Sequence, residues 1–349
     1  MKKIYHNIKH LVPWMIAAAI FFYLFWQYPP KKVWESLAYV NIPAFLSFSL
    51  IYFFLLYFLD AWSIKDLMKR FGYAATLGGL LLGRGVTYLV MIVNYPASQA
   101  AFAYYLRRKY NTPIFRALGI FLFIVFVDLL WIITLAFIGS SLQDYNIGGI
   151  DLKRTIQIVA LITYSGAAIW MMFWKMMPKK IDGHGFIRSV LRKIKERDIF
   201  QIFSQAGISD YVRIAITRAP IHMAIIFYMY IVLQTFDVSC PIIRILGNVP
   251  VVFMIGTLPI TPGGLGTTNA AMVELLSPYI TSPLFESGRI SPREMLFAIT
   301  ILWMATNYVI KAIVGTILMK RVSKNLFKPT LELPQEIAEK EATHMHGNI

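Results

Sequence analysis

The stretch ILGNVPVVFMIGTLPITPGGLGTTNAAMV, residues 245–273, contains no Asp, Glu, Lys, Arg or His. An uncharged apolar run of this length exceeds the roughly 20 residues a helix needs to cross the hydrocarbon of a bilayer. It cannot be one continuous helix, because two prolines and three glycines fall between 259 and 266. Proline lacks the amide donor a helix interior requires, and glycine is entropically costly there. A break inside an apolar region leaves peptide groups unpaired, which hydrocarbon tolerates only where protein or a water-filled cavity satisfies them. The turn is therefore expected to be buried or to line a cavity. The helix restarting near Thr267 would present backbone amides and a positive dipole end, a seat for phosphate or carboxylate. The plainer alternative is a tight bend between packed helices.

Working outward, the same character extends over most of the chain. Runs 11–28, 42–59, 85–106 and 155–174 also lack charged residues and histidine. Of 349 residues 57% are hydrophobic and only 15% charged, where soluble domains carry about 25% charge. One soluble core, paired soluble domains and a disordered chain are thereby excluded, and an all-α polytopic membrane protein is expected. The single cysteine, Cys240, rules out an intrachain disulfide and a multi-cysteine metal site. The first run follows Lys2, Lys3 and Lys9 in the manner of a signal peptide, but it is long and bulky with no small-residue cleavage site behind it, so it reads as the first span.

Lys plus Arg number 34 against 18 Asp plus Glu, a formal charge of +16, and basic loops stay on the cytoplasmic side. Apolar segments lie near 11–28, 42–62, 77–96, 114–141, 155–177, 211–235, 241–260 and 294–319. The amino terminus, the loop with Lys65, Lys69 and Arg70, the cluster Arg107, Arg108 and Lys109, the loop 178–210 and the exit with Lys320, Arg321, Lys324 and Lys328 all ask for the inside. Eight complete crossings would put 65–70 and 107–109 on opposite sides. Charge and count agree if 77–110 enters from the cytoplasm, turns at Tyr95 and Pro96 and returns, and if 241–285 does the same from outside with its turn at 259–266. The expectation is six full spans and two re-entrant helical hairpins in an inverted repeat, with eight full spans as the alternative. Transporters use such repeats to bring half-helix ends together near the midplane. Both termini are then cytoplasmic, in a multi-pass protein of the cell membrane, with a transmembrane domain over 1–328 and a polar tail over 329–349.

Charged residues inside spans are expensive and face a cavity or a partner. Arg84, Asp128 and Lys311 lie deepest by position, with Glu274 one to two turns beyond the glycine turn. An Arg84–Asp128 pair is one arrangement; Arg213 and Arg218 read as snorkelling to lipid phosphates, and Asp60 and Lys65 as span-end residues. Ile187, Val190, Leu191 and Ile194, interleaved with Arg188, Arg192, Lys193 and Lys195, form a basic amphipathic pattern suited to anionic lipids of the inner leaflet. The positive charge is explained by topology, and no nucleic-acid recognition motif accompanies it. No HExxH, GxSxG or GxxxxGK[ST] pattern occurs. A Ser165/His222 dyad is the weak exception, and no enzyme, cofactor or metal site is expected. His344 and His346 belong to the tail, and the eight tryptophans read as interfacial anchors.

Pro259 with Pro262, Gly263, Gly264, Leu265 and Gly266, together with YPASQAAFAYYLRRK (95–109) followed by an apolar span containing Asp128, resembles the flippase-like transmembrane region of bacterial lysylphosphatidylglycerol synthases and its stand-alone relatives. In that family a Gly-Glu pair usually stands where this chain has Ser98, Gln99 and Ala100, and a Glu often stands at the position of Asn269. Both departures replace carboxylates by neutral groups. The resemblance implies binding or translocation of a phosphate-bearing phospholipid or isoprenoid-type lipid; anionic membrane lipids are the expected partners, and a separate lipid-modifying enzyme is one candidate beside them. The aminoacyl-transferase domain of the full synthases is expected to be absent, since the chain stops about thirty residues after its last span. The substrate-binding set is Arg84, Pro96, Gln99, Asp128, Pro262, Gly263, Gly264, Gly266, Thr267, Thr268, Asn269 and Glu274. Arg84 attracts the anion, Asp128 or Glu274 balances it or takes a proton, and the glycine turn offers amides. An ion- or proton-coupled transporter of a small soluble anion is the alternative.

Overall fold

In the computed structural model, residues 2–141, 146–147, 150–176, 198–258 and 260–326 are described. The amphipathic stretch 187–194, Pro259 and the tail from 329 lie outside them. The helices are α1 (Lys2–Gln27), α2 (Pro30–Leu37), α3 (Ile42–Arg70), α4 (Leu77–Val93), α5 (Tyr95–Tyr110), α6 (Ile114–Ser141) and α7 (Leu152–Met176). After these come α8 (Asp198–Gln205), α9 (Ile208–Gln234), α10 (Ile242–Thr257), α11 (Thr267–Leu276), α12 (Pro283–Glu286) and α13 (Pro292–Leu326). Apart from a two-residue antiparallel ladder pairing Asn146–Ile147 with Ile150–Asp151, the described regular structure is helical.

Five helices, α3, α6, α7, α9 and α13, are long and apolar enough to cross a membrane, and α1 with α2 makes a sixth candidate bent by 77°. Prolines 29 and 30 cause that bend: Pro30 opens α2 at a position where its missing amide costs nothing. The chain is a multi-pass membrane protein. Its lipid-facing surface shows the expected inversion of a soluble fold, with Phe22, Trp26, Phe54 and Ile162 all exposed.

Two pairs of helices are too short to be spans of that kind, and each folds back on itself. Asn94 ends α4 in an extended conformation, and its side chain accepts from the Ala97 amide to start α5. The arms run antiparallel: Thr76 Oγ1 meets Tyr110 Oη at 2.9 Å, Tyr105 Oη donates to the Gly79 carbonyl at 2.8 Å, and Arg84 donates to Gln99 Oε1 at 3.1 Å. In the second pair, α10 and α11 are joined by 258–266. Ser239 and Thr281 close the base through reciprocal backbone hydrogen bonds of 2.8 and 2.9 Å, and the Arg244 guanidinium lies 4.6 Å from the Tyr279 ring centre.

The packing repeats itself. The closing span of each half lies on the opening arm of the other half's hairpin, α6 on α10 and α13 on α4. Small residues permit both crossings: a Cβ on Gly139 would stand 2.5 Å from the Gly247 carbonyl oxygen, and one on Gly315 2.7 Å from Leu89 Cγ. The second spans, α3 and α9, pair antiparallel at the centre. Tyr52 stacks on Tyr228 at 4.0 Å near one end, and Ser49 shares a hydrogen bond of 2.7 Å with Tyr228. At the other end the contacts are ionic.

Candidate functional site

Reading α3 forward and α9 backward gives complementary charge. Arg70 pairs with Asp210, Asp66 with Arg213, and Asp60 with Arg218. The first two pairs are partly exposed near the helix ends. The third lies ten residues short of Arg70, ~15 Å along the helix at 1.5 Å per residue, and there the network widens.

Arg218 is its hub. Its Nη1 donates to Asp60 Oδ1 at 2.8 Å and to Ser63 Oγ at 3.1 Å, and its Nε to Asp128 Oδ1 at 2.8 Å, while Nη2 reaches Asp128 Oδ2. His222, one turn along α9, places Nε2 3.0 Å from Asp128 Oδ1. On the other side Arg84 Nε lies 2.8 Å from Asp60 Oδ2. The Arg84 guanidinium also sits 5.6 Å from the Phe102 ring centre and binds Gln99. Five helices thus contribute: α3, α6 and α9 from the spans, and α4 and α5 from the first hairpin. The Arg84 and Arg218 side chains are only 10% and 8% exposed. Charges so sheltered persist because Arg218 grips both oxygens of Asp128 and Arg84 pairs with Asp60.

Lys311 of α13 adds a further cation. The contact of Gly315 with Leu89 and Gly85 sets α13 against α4, so Lys311 stands one turn nearer the hairpin tip, within electrostatic reach of Arg84. Its ammonium lies 5.9 Å from the Tyr308 ring centre, and no carboxylate among the described residues pairs with it. The cluster therefore holds three cations, Arg84, Arg218 and Lys311, against two carboxylates, Asp60 and Asp128. Gln99 Nε2, a buried donor beside Arg84, has no hydrogen-bond partner.

The second hairpin's tip is a separate locus. Gly263, Gly264 and Gly266 have φ of +60°, +75° and +80°, a region only glycine enters freely. Gly264 is also hemmed in, since a Cβ there would stand 2.5 Å from Thr268 Oγ1 and 3.0 Å from the Gly256 carbonyl oxygen. The tip carries its own polar satisfaction: Thr261 and Thr267 hydroxyls meet at 3.1 Å, Thr267 donates to the Gly264 carbonyl, and Asn269 Oδ1 accepts from the Gly266 amide at 3.2 Å. The Ile20 side chain and the Ala17 carbonyl of α1 cover Gly266, where a Cβ would stand 3.0 and 3.5 Å from them. Asn269 thus acts as a built-in acceptor for the Gly266 amide at the start of α11.

Several sequence expectations are corrected by this geometry. Arg84 pairs with Asp60 rather than Asp128. Arg213 and Arg218 bind carboxylates instead of snorkelling to lipid. Asp60 is no span end, because α3 continues past it to Arg70 and its carboxylate is held by Arg84 and Arg218, whereas Lys65 lies exposed in the last two turns of that helix. Glu274 is partly exposed and pairs with Arg293 at 3.0 Å, away from the buried cluster. Pro96 is exposed in the first turn of α5, while Gln99 and Asp128 belong to the network. Ser165 is exposed on α7, and His222 is engaged by Asp128. Trp14, Trp26, Trp34 and Trp62 are exposed as anchors would be, but Trp174 is buried and Trp131 donates to the Ala215 carbonyl at 2.8 Å. No group of three metal-ligating side chains occurs among the described residues.

The family model described as the lysylphosphatidylglycerol synthase TM region matches residues 11–315 of the chain, which takes in both hairpins and the whole charge network. No curated protein and no solved structure matches it.

Proposed function

The chain belongs to the lysylphosphatidylglycerol synthase transmembrane-region family, a family of membrane proteins tied to lipid handling, and from that premise we propose that it binds a lipid with a monoanionic phosphate headgroup and passes it between leaflets. The observation that carries this reading is the surplus cation: Arg84, Arg218 and Lys311 against Asp60 and Asp128. An unpaired charge within a span is costly, and one phosphodiester would bring the cluster to neutrality. Lys311 and Gln99 Nε2 are the free donors that receive it, Arg84 holds the charge field in place, and Asp60, Asp128 and His222 fix Arg84 and Arg218. In this reading the hairpins re-enter from opposite sides of the cell membrane, both termini are cytoplasmic, and the tips meet the spans near mid-depth. The glycine turn, from Pro262 to Thr268 with Asn269, then serves as the covered elbow of the second hairpin.

Lys311→Gln tests it. In proteoliposomes, movement of a fluorescent phosphatidylglycerol across the bilayer should fall by tenfold or more, while the melting temperature holds or rises, because this lysine has no carboxylate to abandon. Wild-type movement in the variant would reject the reading. The same surplus charge suits a small soluble anion, so radiolabelled inorganic phosphate supplied to sealed vesicles forms the second arm: uptake that Lys311→Gln abolishes, without lipid movement, would reassign the substrate.

A further inference from the structure

Between α3, α4 and α13 the surface opens into a groove of about 500 Å³ that is apolar almost throughout. Phe54 and Tyr57 form one wall, Leu81 and Leu82 the second, and Val314 and Leu318 the third. Arg321 and Gly78 lie at one end. On α13 the residues Val314, Leu318 and Arg321 follow at intervals of four and three, one face of the helix, so the apolar stripe runs directly into the guanidinium. Phe54 and Ile317 are 49% and 53% exposed, which leaves the groove open sideways where a bilayer would lie.

The Arg321 end is made for an anion. No carboxylate among the described residues pairs with Arg321. Gly78 occupies the first turn of α4, whose 17 residues direct a positive dipole end toward the same mouth. Thr76 satisfies the Gly79 amide at 3.2 Å, and a Cβ on Gly78 would meet nothing within 4 Å, so the backbone there is open to approach. A guanidinium and a helix N-terminus at the mouth of an apolar slot are the two halves of an amphiphile's complement.

We infer that this groove seats one acyl chain of a phospholipid of net negative headgroup, with its phosphate held between Arg321 and the first turn of α4. The inference deepens the proposed function by giving the lipid a resting place along the face of α13 that also carries Lys311, and for that consequence it rests on that reading. The occupancy itself does not. Val314 lies three residues from Lys311, so a lipid in this slot has its head at the basic end of α13 and its chain leading toward the buried cluster.

The test uses the full chain in vesicles of equal parts phosphatidylglycerol and phosphatidylcholine, extracted in mild detergent, with retained lipids counted by native mass spectrometry. Wild type should retain phosphatidylglycerol in excess. Arg321→Gln, an exposed position where folding is not at stake, should lower the retained ratio of phosphatidylglycerol to phosphatidylcholine about fivefold, the factor that ~1 kcal/mol per basic side chain converts to. Gly78→Phe, which places a ring in the open mouth, should retain one lipid fewer of either kind. Arg321→Gln should lower the ratio by the same factor in a Lys311→Gln background, so that lipid movement can fail while the groove stands. An unchanged headgroup ratio in Arg321→Gln, or an unchanged lipid count in Gly78→Phe, overturns the proposal.

Discussion

The four hydrogen bonds of Arg218 make it a hub: remove it and Asp60 keeps only Arg84, and Asp128 only His222, in a sheltered site. Breaking a buried pair by deleting one partner costs ~3–5 kcal/mol, most of it the stranded charge. Arg218→Gln should therefore lower stability in lipid nanodiscs by about that amount. Adding Asp128→Asn should restore part of the loss, because the removed charge no longer needs a partner, and the coupling of the two changes should exceed ~1 kcal/mol. Additive losses in unfolding titrations of the four proteins would contradict the network. The same residues show what the sequence could convey at this scale. Arg84 and Asp128 stood out because each interrupts a long apolar run, yet their partners did not. Asp60 and Arg218 lie nearer the basic ends of α3 and α9, where hydropathy alone reads charge as a boundary. The usable signal was order: Asp60, Asp66, Arg70 in one span and Arg218, Arg213, Asp210 in the other are complementary when the spans run antiparallel. That pairing is a tertiary fact, and a single helix's periodicity does not contain it.

Hairpins are the informative elements. Their breaks were legible, since Asn94–Tyr95–Pro96 and the proline–glycine run around 262–266 leave no continuous helix, and the structure breaks at both places. What fills each break was not legible. At the second tip Asn269 turns its amide oxygen onto Gly266, a local contact that any capping rule permits but none requires. The three positive-φ glycines are also unequal. Gly263 has nothing within 4 Å of its missing Cβ, whereas Gly264 is closed in by Thr268 and the Gly256 backbone. Gly263→Asn should thus shift the melting temperature little, asparagine being tolerant of left-handed backbone. Gly264→Leu combines the strain, ~1–3 kcal/mol for a side chain in that region, with a wedge between α10 and α11. It should melt measurably lower and lose lipid movement while still inserting. Equal melting curves for the two variants would show that the tip does not pack as described.

At the scale of the whole molecule, the two halves exchange contacts: α6 with α10, α13 with α4, and α3 with α9 across the centre. Charge counting along the sequence leads to an inverted repeat, because the positive-inside bias and the number of apolar segments disagree unless two segments turn back, but it does not contain these contacts. The same counting has the first hairpin enter from the cytoplasm and the second from outside, a direction that labelling measures. Cysteine labelling does so cleanly here, since Cys240 is buried and burial pushes its thiol up to about 11, so background reaction is slow. Single cysteines at Lys69 and Lys109 bracket the first hairpin, and ones at Asp237 and Ser287 bracket the second; all four positions are exposed. With a membrane-impermeant maleimide applied to sealed vesicles of each orientation, 69 and 109 should react from one face only, and 237 and 287 from the opposite face only. Reaction of 69 and 109 from opposite faces would make α4 and α5 a complete crossing, and the account of paired half-way hairpins around a buried charge cluster would fail.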